Sequence, residues 1–217
     1  MSTESFETVL RFWFPDQFNN DQTALVRQWE WWFRGGMNAH EKALFLPLLE
    51  RAKRGELNAW SLQPRSRLVL IIILDQFSRA IYPGSAKSFS QDSKACLLTL
   101  EGISVGHYAA LQTPWEKTFF LLPLGHSERL ENLDLAVKLT NELVQESAPD
   151  YRELLAFSAS QAKAHREVIV RFGRHPHRNE VLGRCSTPEE LEYLATGQLV
   201  HTRSMPPHLS KLLANKP

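Results

Sequence analysis

An all-helical fold is the prediction of this 217-residue sequence, and three observations carry it. Two stretches, Thr113–Glu116 and Thr187–Glu190, repeat one device: Thr at the N-cap, Pro at the first helical position and Glu at the third. The Thr hydroxyl can accept from an unpaired backbone N–H while the Glu reaches back to the cap, and Asn38–Glu41 has the same reciprocal spacing without the proline. Helix stops are marked too, since Lys53–Leu57, Glu101–His107 and Arg171–Arg174 place Gly after a charged last turn, where a left-handed C-cap is wanted. Finally, no hairpin dipeptide or alternating strand pattern competes with the helical spacing.

In order, helices are expected near 3–13, 21–34, 38–54, 65–82, 86–101, 114–122, 127–146, 150–172 and 188–196. The first two carry "RFWF" and "WEWWF", whose aromatics recur at helical spacing and belong to packing rather than to a platform for stacking bases. Asn38 caps the third. The fourth is ambiguous, because Val69, Ile71, Ile72 and Ile73 are β-branched and suit a buried strand. Yet Pro64 to Tyr82 is too long for an ordinary strand, starts with Pro in its first turn and ends at Pro-Gly, so it is assigned as a central buried helix, apolar nearly all round. The fifth runs to the glycines of "EGISVGH", and Thr113 caps the sixth. Ser127 is the natural N-cap of the seventh, with Glu128 in the first turn where the helix dipole favours it. The eighth ends at Phe172–Gly173, and a rigid basic turn through Pro176 leads to the cap at Thr187. Short loops between such helices imply stacked antiparallel pairs, in a solenoid or a compact bundle, although no fixed repeat period is visible. Residues 1–197 are expected to form one domain, and 198–217 an irregular tail.

Composition narrows the function classes. A chain of this length buries roughly 70% of its unfolded surface without needing disulfides. Hydrophobic content of 43%, charged content of 23% and a net charge of +1 describe an ordinary soluble protein and disfavour a nucleic-acid partner. Cys96 and Cys185 lie far apart, which reads as reduced thiols in a cytoplasmic protein. The start of the chain, "MSTESFETVLRFWF", has acidic residues before its apolar stretch and does not resemble a signal peptide. The longest apolar run, Leu68–Leu74, stops at Asp75 and is far short of the ~20 residues a membrane helix requires.

Three segments carry groups capable of chemistry. In "LDQFSR", Asp75 and Arg79 are four apart on one helix face beside Gln76, which makes either an intrahelical salt bridge or a polar pocket wall. In "LPLGHSERL", His126 precedes Ser127 and Glu128; the serine and glutamate are explained by capping, while the histidine is left for a general base, a metal-ligand pair or an anion contact. In "AHREVIVRFGRHPHRN", His165 shares a face with Ile169 and Phe172, and Arg171, Arg174, His177, Arg178 and Asn179 follow. Several arginines with an asparagine suit a dianion, or else form a solvated turn paired with acidic residues, with Asp75 and Glu128 as candidate partners. No metal site is expected: His175 and His177 are too close for the helical zinc spacing, and no HExxH occurs. No cofactor is expected either, since P-loop and GxGxxG patterns are absent, as is the GxSxG of hydrolases.

Taken together, "LRFWF", "LDQFSRAIYPGSAKSF", "LLPLGHSE" and "HREVIVRFGRHPHRNEVLGRCSTPEELEYL" resemble the bacterial family known as domain of unknown function 924, over roughly residues 6–196. The resemblance implies a right-handed, tetratricopeptide-like helical superhelix and no established reaction. This chain departs from the family pattern at Ser78, Ala80 and Gly125, and in "ENLD".

The leading expectation is a polar pocket where the three segments converge, binding a small anionic or phosphorylated ligand. In its catalytic form, His126 or His165 is the general base, Asp75 or Glu128 orients it, and Arg171, Arg174 and Arg178 stabilise developing negative charge. Gln76, Arg79, Ser127, His177 and Asn179 then complete the ligand contacts. The competing expectation is a scaffold for peptide or protein partners, in which the same residues form a structural salt-bridge network.

Overall fold

A computed structural model describes residues 5–15 and 22–214, and among them every regular element is helical. Helix α1 spans Phe6–Trp13, α2 Gln22–Glu30, α3 Ala39–Lys53, α4 Pro64–Ile72, α5 Ser78–Ile81, α6 Asp92–Ser104, α7 Pro114–Gly125, α8 Leu130–Glu146, α9 Pro149–Phe172, α10 Pro188–Ala195 and α11 Pro207–Ala214. The expected beginnings of the first two helices, residues 3–4 and 21, lie outside the described residues, as do 215–217 of the tail. All three capping boxes form, at Asn38–Glu41, Thr113–Glu116 and Thr187–Glu190. Gly173 closes α9 in the left-handed region at φ 68°, a conformation open to glycine at little cost.

The β-branched run is helical, and it is the centre of the molecule. Leu68 to Leu74 are all buried, and α4 packs against α1, α6 and α7. Gly102 of α6 lets α4 and α7 approach, since a Cβ there would lie 2.5 Å from the Phe120 ring and 2.7 Å from Arg67. Helices α8 and α9 run antiparallel: only Ser147 and Ala148 separate them, and Arg166 late in α9 reaches back to Asp134 early in α8.

Five details differ from expectation, the first being that α2 stops at Glu30 and gives way to a π turn at Trp31–Gly35. The central helix is not regular to Tyr82, because Ile73–Phe77 winds as a π turn between α4 and α5. The fifth helix begins at Asp92 rather than 86, after a short 3-10 turn at Ala86–Ser88. Ser127 is not an N-cap: α7 continues to Gly125, α8 starts at Leu130, and the Ser127 hydroxyl instead accepts from the Arg129 N–H at 3.1 Å and the Asn132 amide at 2.9 Å. The tail is not irregular throughout, since Val200–Thr202 makes a 3-10 turn and α11 follows, packed on α2 with Leu209 buried.

Candidate functional site

The π turn decides where Asp75 sits. Such turns insert one extra residue into a helix and re-aim its neighbours, often at functional sites. Here the carboxylate is 1% exposed, and three side chains meet it. His126, the C-cap residue of α7, donates from Nδ1 to Oδ1 at 2.7 Å; Arg79 reaches Oδ1 at 3.1 Å; Gln76 donates to Oδ2 at 2.5 Å. Burial by itself would push the Asp75 carboxyl up, but Arg79, His126 and Gln76 outweigh it and hold it well below the usual carboxylate range.

Arg79 continues from Asp75 to Asp92 at the first position of α6, with both terminal nitrogens on the two carboxylate oxygens at 3.0 and 2.9 Å. Arg178 joins the same carboxylate at 3.1 Å. The Phe89 ring packs against both guanidinium groups, 5.5 Å from Arg79 and 4.6 Å from Arg178. The two arginines differ in what burial does to them. Arg79 loses to desolvation but gains more from Asp75 and Asp92, so its pKa rises. Arg178 is pushed down to about 10, because burial exceeds the attraction of Asp92.

Beside these ion pairs runs a row of imidazoles. Ring centroids of His126 and His165 are 6.4 Å apart, His165 and His175 5.5 Å, His175 and His177 5.5 Å, and His177 and His201 3.9 Å. Burial, reinforced by His126 and Arg178, lowers the His165 pKa to about 3. Burial with His201 and Arg178 lowers that of His177 to about 2, and burial with Arg178 depresses His175 further still. These rings are neutral at physiological pH. Several of their nitrogens are also idle: Nδ1 of His165, both ring nitrogens of His175 and Nε of Arg178 are buried without a hydrogen-bond partner. Each such group forgoes solvation at a cost of about 1–3 kcal/mol.

A second network lies alongside and is closed. Glu190 of α10 takes Arg174 on both oxygens at 2.7 and 2.8 Å, the Asn179 amide at 3.1 Å and its own N-cap N–H at 2.8 Å. The Arg174 hydrogen bond is the main cause of its pKa falling to about 2. Arg184 clamps Glu128 with two nitrogens at 2.8 and 3.1 Å and binds the His175 carbonyl and the Asn179 amide oxygen. Glu128 also accepts from the His175 N–H at 2.8 Å. Burial raises the Glu128 pKa, and Arg184 with that N–H outweighs it.

The residues singled out in the sequence therefore divide. Asp75, Gln76, Arg79, His126, His165, His177 and Arg178 gather in the cluster around the π turn. Glu128, Arg174 and Asn179 belong to the closed network, and Ser127 stays in its own turn. Arg171 is exposed, its guanidinium 4.7 Å from the Phe172 ring. The candidate partners hold only in part: Glu128 serves Arg184, but Arg178 turns to Asp92 and Arg174 to Glu190. Asp92, His175 and His201 were missed. Asp92 has the signature of a first-turn acid, and His175 stands in the same basic turn as His177; His201 has no local signal at all. Among the described residues, no group of three or more His, Cys, Asp or Glu is arranged to hold a metal ion, and no helix is long and apolar enough to cross a membrane. Cys96 and Cys185 are free thiols, and burial pushes Cys96 up to about 11.

Fold and site together define an all-helical protein built around a buried acid–histidine pair. The chain belongs to the family described as bacterial protein of unknown function (DUF924), which it matches over residues 9–198. A solved structure of a protein of unknown function, ATU0120 from Agrobacterium tumefaciens, is similar with a TM-score of 0.68 and 30% identity, over 88% of this chain and 97% of that one. No functionally curated protein matches the chain.

Proposed function

We propose that the cluster around Asp75 and His126 is a small-molecule site for an anionic or phosphorylated ligand, in a cytoplasmic protein whose helix pairs stack as a tetratricopeptide-like superhelix. One observation carries this reading: four buried nitrogens, on His165, His175 and Arg178, have no hydrogen-bond partner. Native interiors rarely leave such groups unpaired, and a ligand is one of the things that pairs them. An anion suits the Arg178 side, where burial outweighs the attraction of Asp92.

The Asp75–His126 pair suggests what the site does to its ligand. With Nδ1–H donated to Asp75, His126 keeps Nε2 as a base for a water or a ligand hydroxyl, the division of labour used by acid–base pairs in hydrolases. On this reading Arg178 stabilises charge that develops on an oxyanion. A screen of phosphate monoesters and carboxylic esters tests the reading. Turnover should fall by about 100-fold or more in His126→Ala, whereas equal activity in His126→Ala and His165→Ala would remove the catalytic role.

The scaffold reading draws its support from the closed network, in which Arg174, Glu190, Arg184 and Glu128 tie the 173–190 segment to the helices. That network fixes the loop carrying His175 and Arg178, so it serves the site reading equally well.

A further inference from the structure

The charges of the cluster balance before anything binds. Arg79 and Arg178 are matched by Asp75 and Asp92, and Glu128 is matched by Arg184. The imidazoles of His165, His175 and His177 add no charge, and each lies against another ring of the row. A buried, electroneutral site that admits an oxyanion acquires uncompensated negative charge, which low-dielectric surroundings penalise heavily. The groups able to relieve it are the rings that already have idle nitrogens, above all His175, which is 1% exposed and has neither nitrogen bonded. The row also reaches water, because its outer ring, His201, is exposed.

We infer that the histidine row takes up a proton when an oxyanion binds, so that the site accepts an oxyanion and a proton together. The inference rests on the reading of the cluster as an anion site. The proton comes from solvent, enters at His201 and resides on an imidazole between His126 and His177, converting that ring from a single N–H donor into a double donor facing the anion. The groups that set the proton's affinity are Asp75 on the π turn, Arg79 on α5, Asp92 and the Cys96 thiol on α6, and Glu128 after α7. From the loop come Arg178 and Arg184. None is a free cation that could neutralise the anion in place of the proton. Linkage then fixes the sign: an anion raises the proton affinity of the ring, and by reciprocity a lower pH tightens the anion.

Sulfate is the suitable probe, because it keeps both charges throughout the working range and any proton taken up must go to the protein. Its binding to the full chain is measured calorimetrically at constant ionic strength, between about pH 6 and about pH 8, in buffers of different ionisation enthalpy. The expected result is proton uptake that is largest near pH 6, up to about one proton per sulfate, with affinity weakening by up to about tenfold per pH unit there and less steeply toward pH 8. In His175→Gln, or in His165→Gln if the first variant does not fold, the proton number should fall and the pH slope flatten. Sulfate binding with the same affinity at both pH values and no buffer dependence overturns the inference while leaving the anion site standing. No binding of sulfate or inorganic phosphate at any pH removes the anion site and the inference with it.

Discussion

Two neighbouring regions use the same residue types to opposite ends. In the closed network, Glu190 and Glu128 accept from Arg174 and Arg184, and Asn179 joins the two with both ends of its amide. In the cluster around Asp75, the carboxylate is as deeply buried as that of Glu190 and as well bonded, yet His165, His175 and Arg178 in the same cluster keep idle nitrogens. The first arrangement is what a segment needs to be held in place. The second is costly to keep unless something else pairs those nitrogens, and on the reading proposed above the difference separates residues that hold the loop from residues that would meet a ligand.

The largest effect that sharpens this contrast is the pH dependence of stability. His165 and His177 have folded-state pKa values of about 3 and about 2, well below the unfolded value near 6.5. The unfolded chain therefore binds protons that the folded chain refuses, and stability is complete above about pH 6.5 and falls as pH drops, by up to about 1.4 kcal/mol per unit for each such ring. Urea unfolding should lose several kcal/mol between about pH 7 and about pH 5; a flat profile would mean the rings are not held neutral. Glu190 acts lower down: its folded pKa of about 2 gives stability that is present above about pH 4.5 and lost toward pH 2.

Next in size is Glu190→Gln, which leaves Arg174 without its carboxylate. Stability at neutral pH should fall by roughly 2–3 kcal/mol, at the lower end for one partner of a buried pair because Arg174 is only half-buried. The cluster around Asp75 should respond in the other direction. His175→Leu removes two unpaired nitrogens at similar volume and should raise stability by about 1 kcal/mol while weakening phosphate binding. A loss of stability there would make the cluster a structural element like its neighbour. Smallest of all, Arg166→Ala breaks an exposed pair with Asp134 and should shift stability by less than about 0.5 kcal/mol, which sets the baseline for the other variants.

The legibility of the sequence follows the range of the forces involved. Capping boxes at Asn38, Thr113 and Thr187 act within four residues, and all three are where the spacing puts them. The apolar run Leu68–Leu74 likewise forms the core helix. The π turn at Ile73–Phe77 leaves no local signature, and the Asp75 it carries pairs with His126, 51 residues away in sequence. Ser127 reads as a cap because it precedes Glu128 and a helical run, whereas α7 continues through Pro123 to Gly125 and α8 begins only at Leu130. Asp75 was recognisable as a carboxylate following an apolar run, His165 as a histidine on an apolar face and His126 as a histidine that capping leaves unexplained. Asp92, which pairs with Arg79 and Arg178, and His201, which lies against His177, were not, since pairing at that distance depends on how the helices stack.

The central claim is that the idle nitrogens of His165, His175 and Arg178 face a ligand, while the Glu190 and Glu128 network does not. Nitrogen-15 spectra of the histidine and arginine side chains, recorded while inorganic phosphate is titrated into the protein, test it most directly. The account predicts that the His165, His175 and Arg178 signals shift in a saturable way while Arg174 and Arg184 stay where they are. Saturable shifts at Arg174 and Arg184 with the His165 and His175 signals unmoved would contradict it.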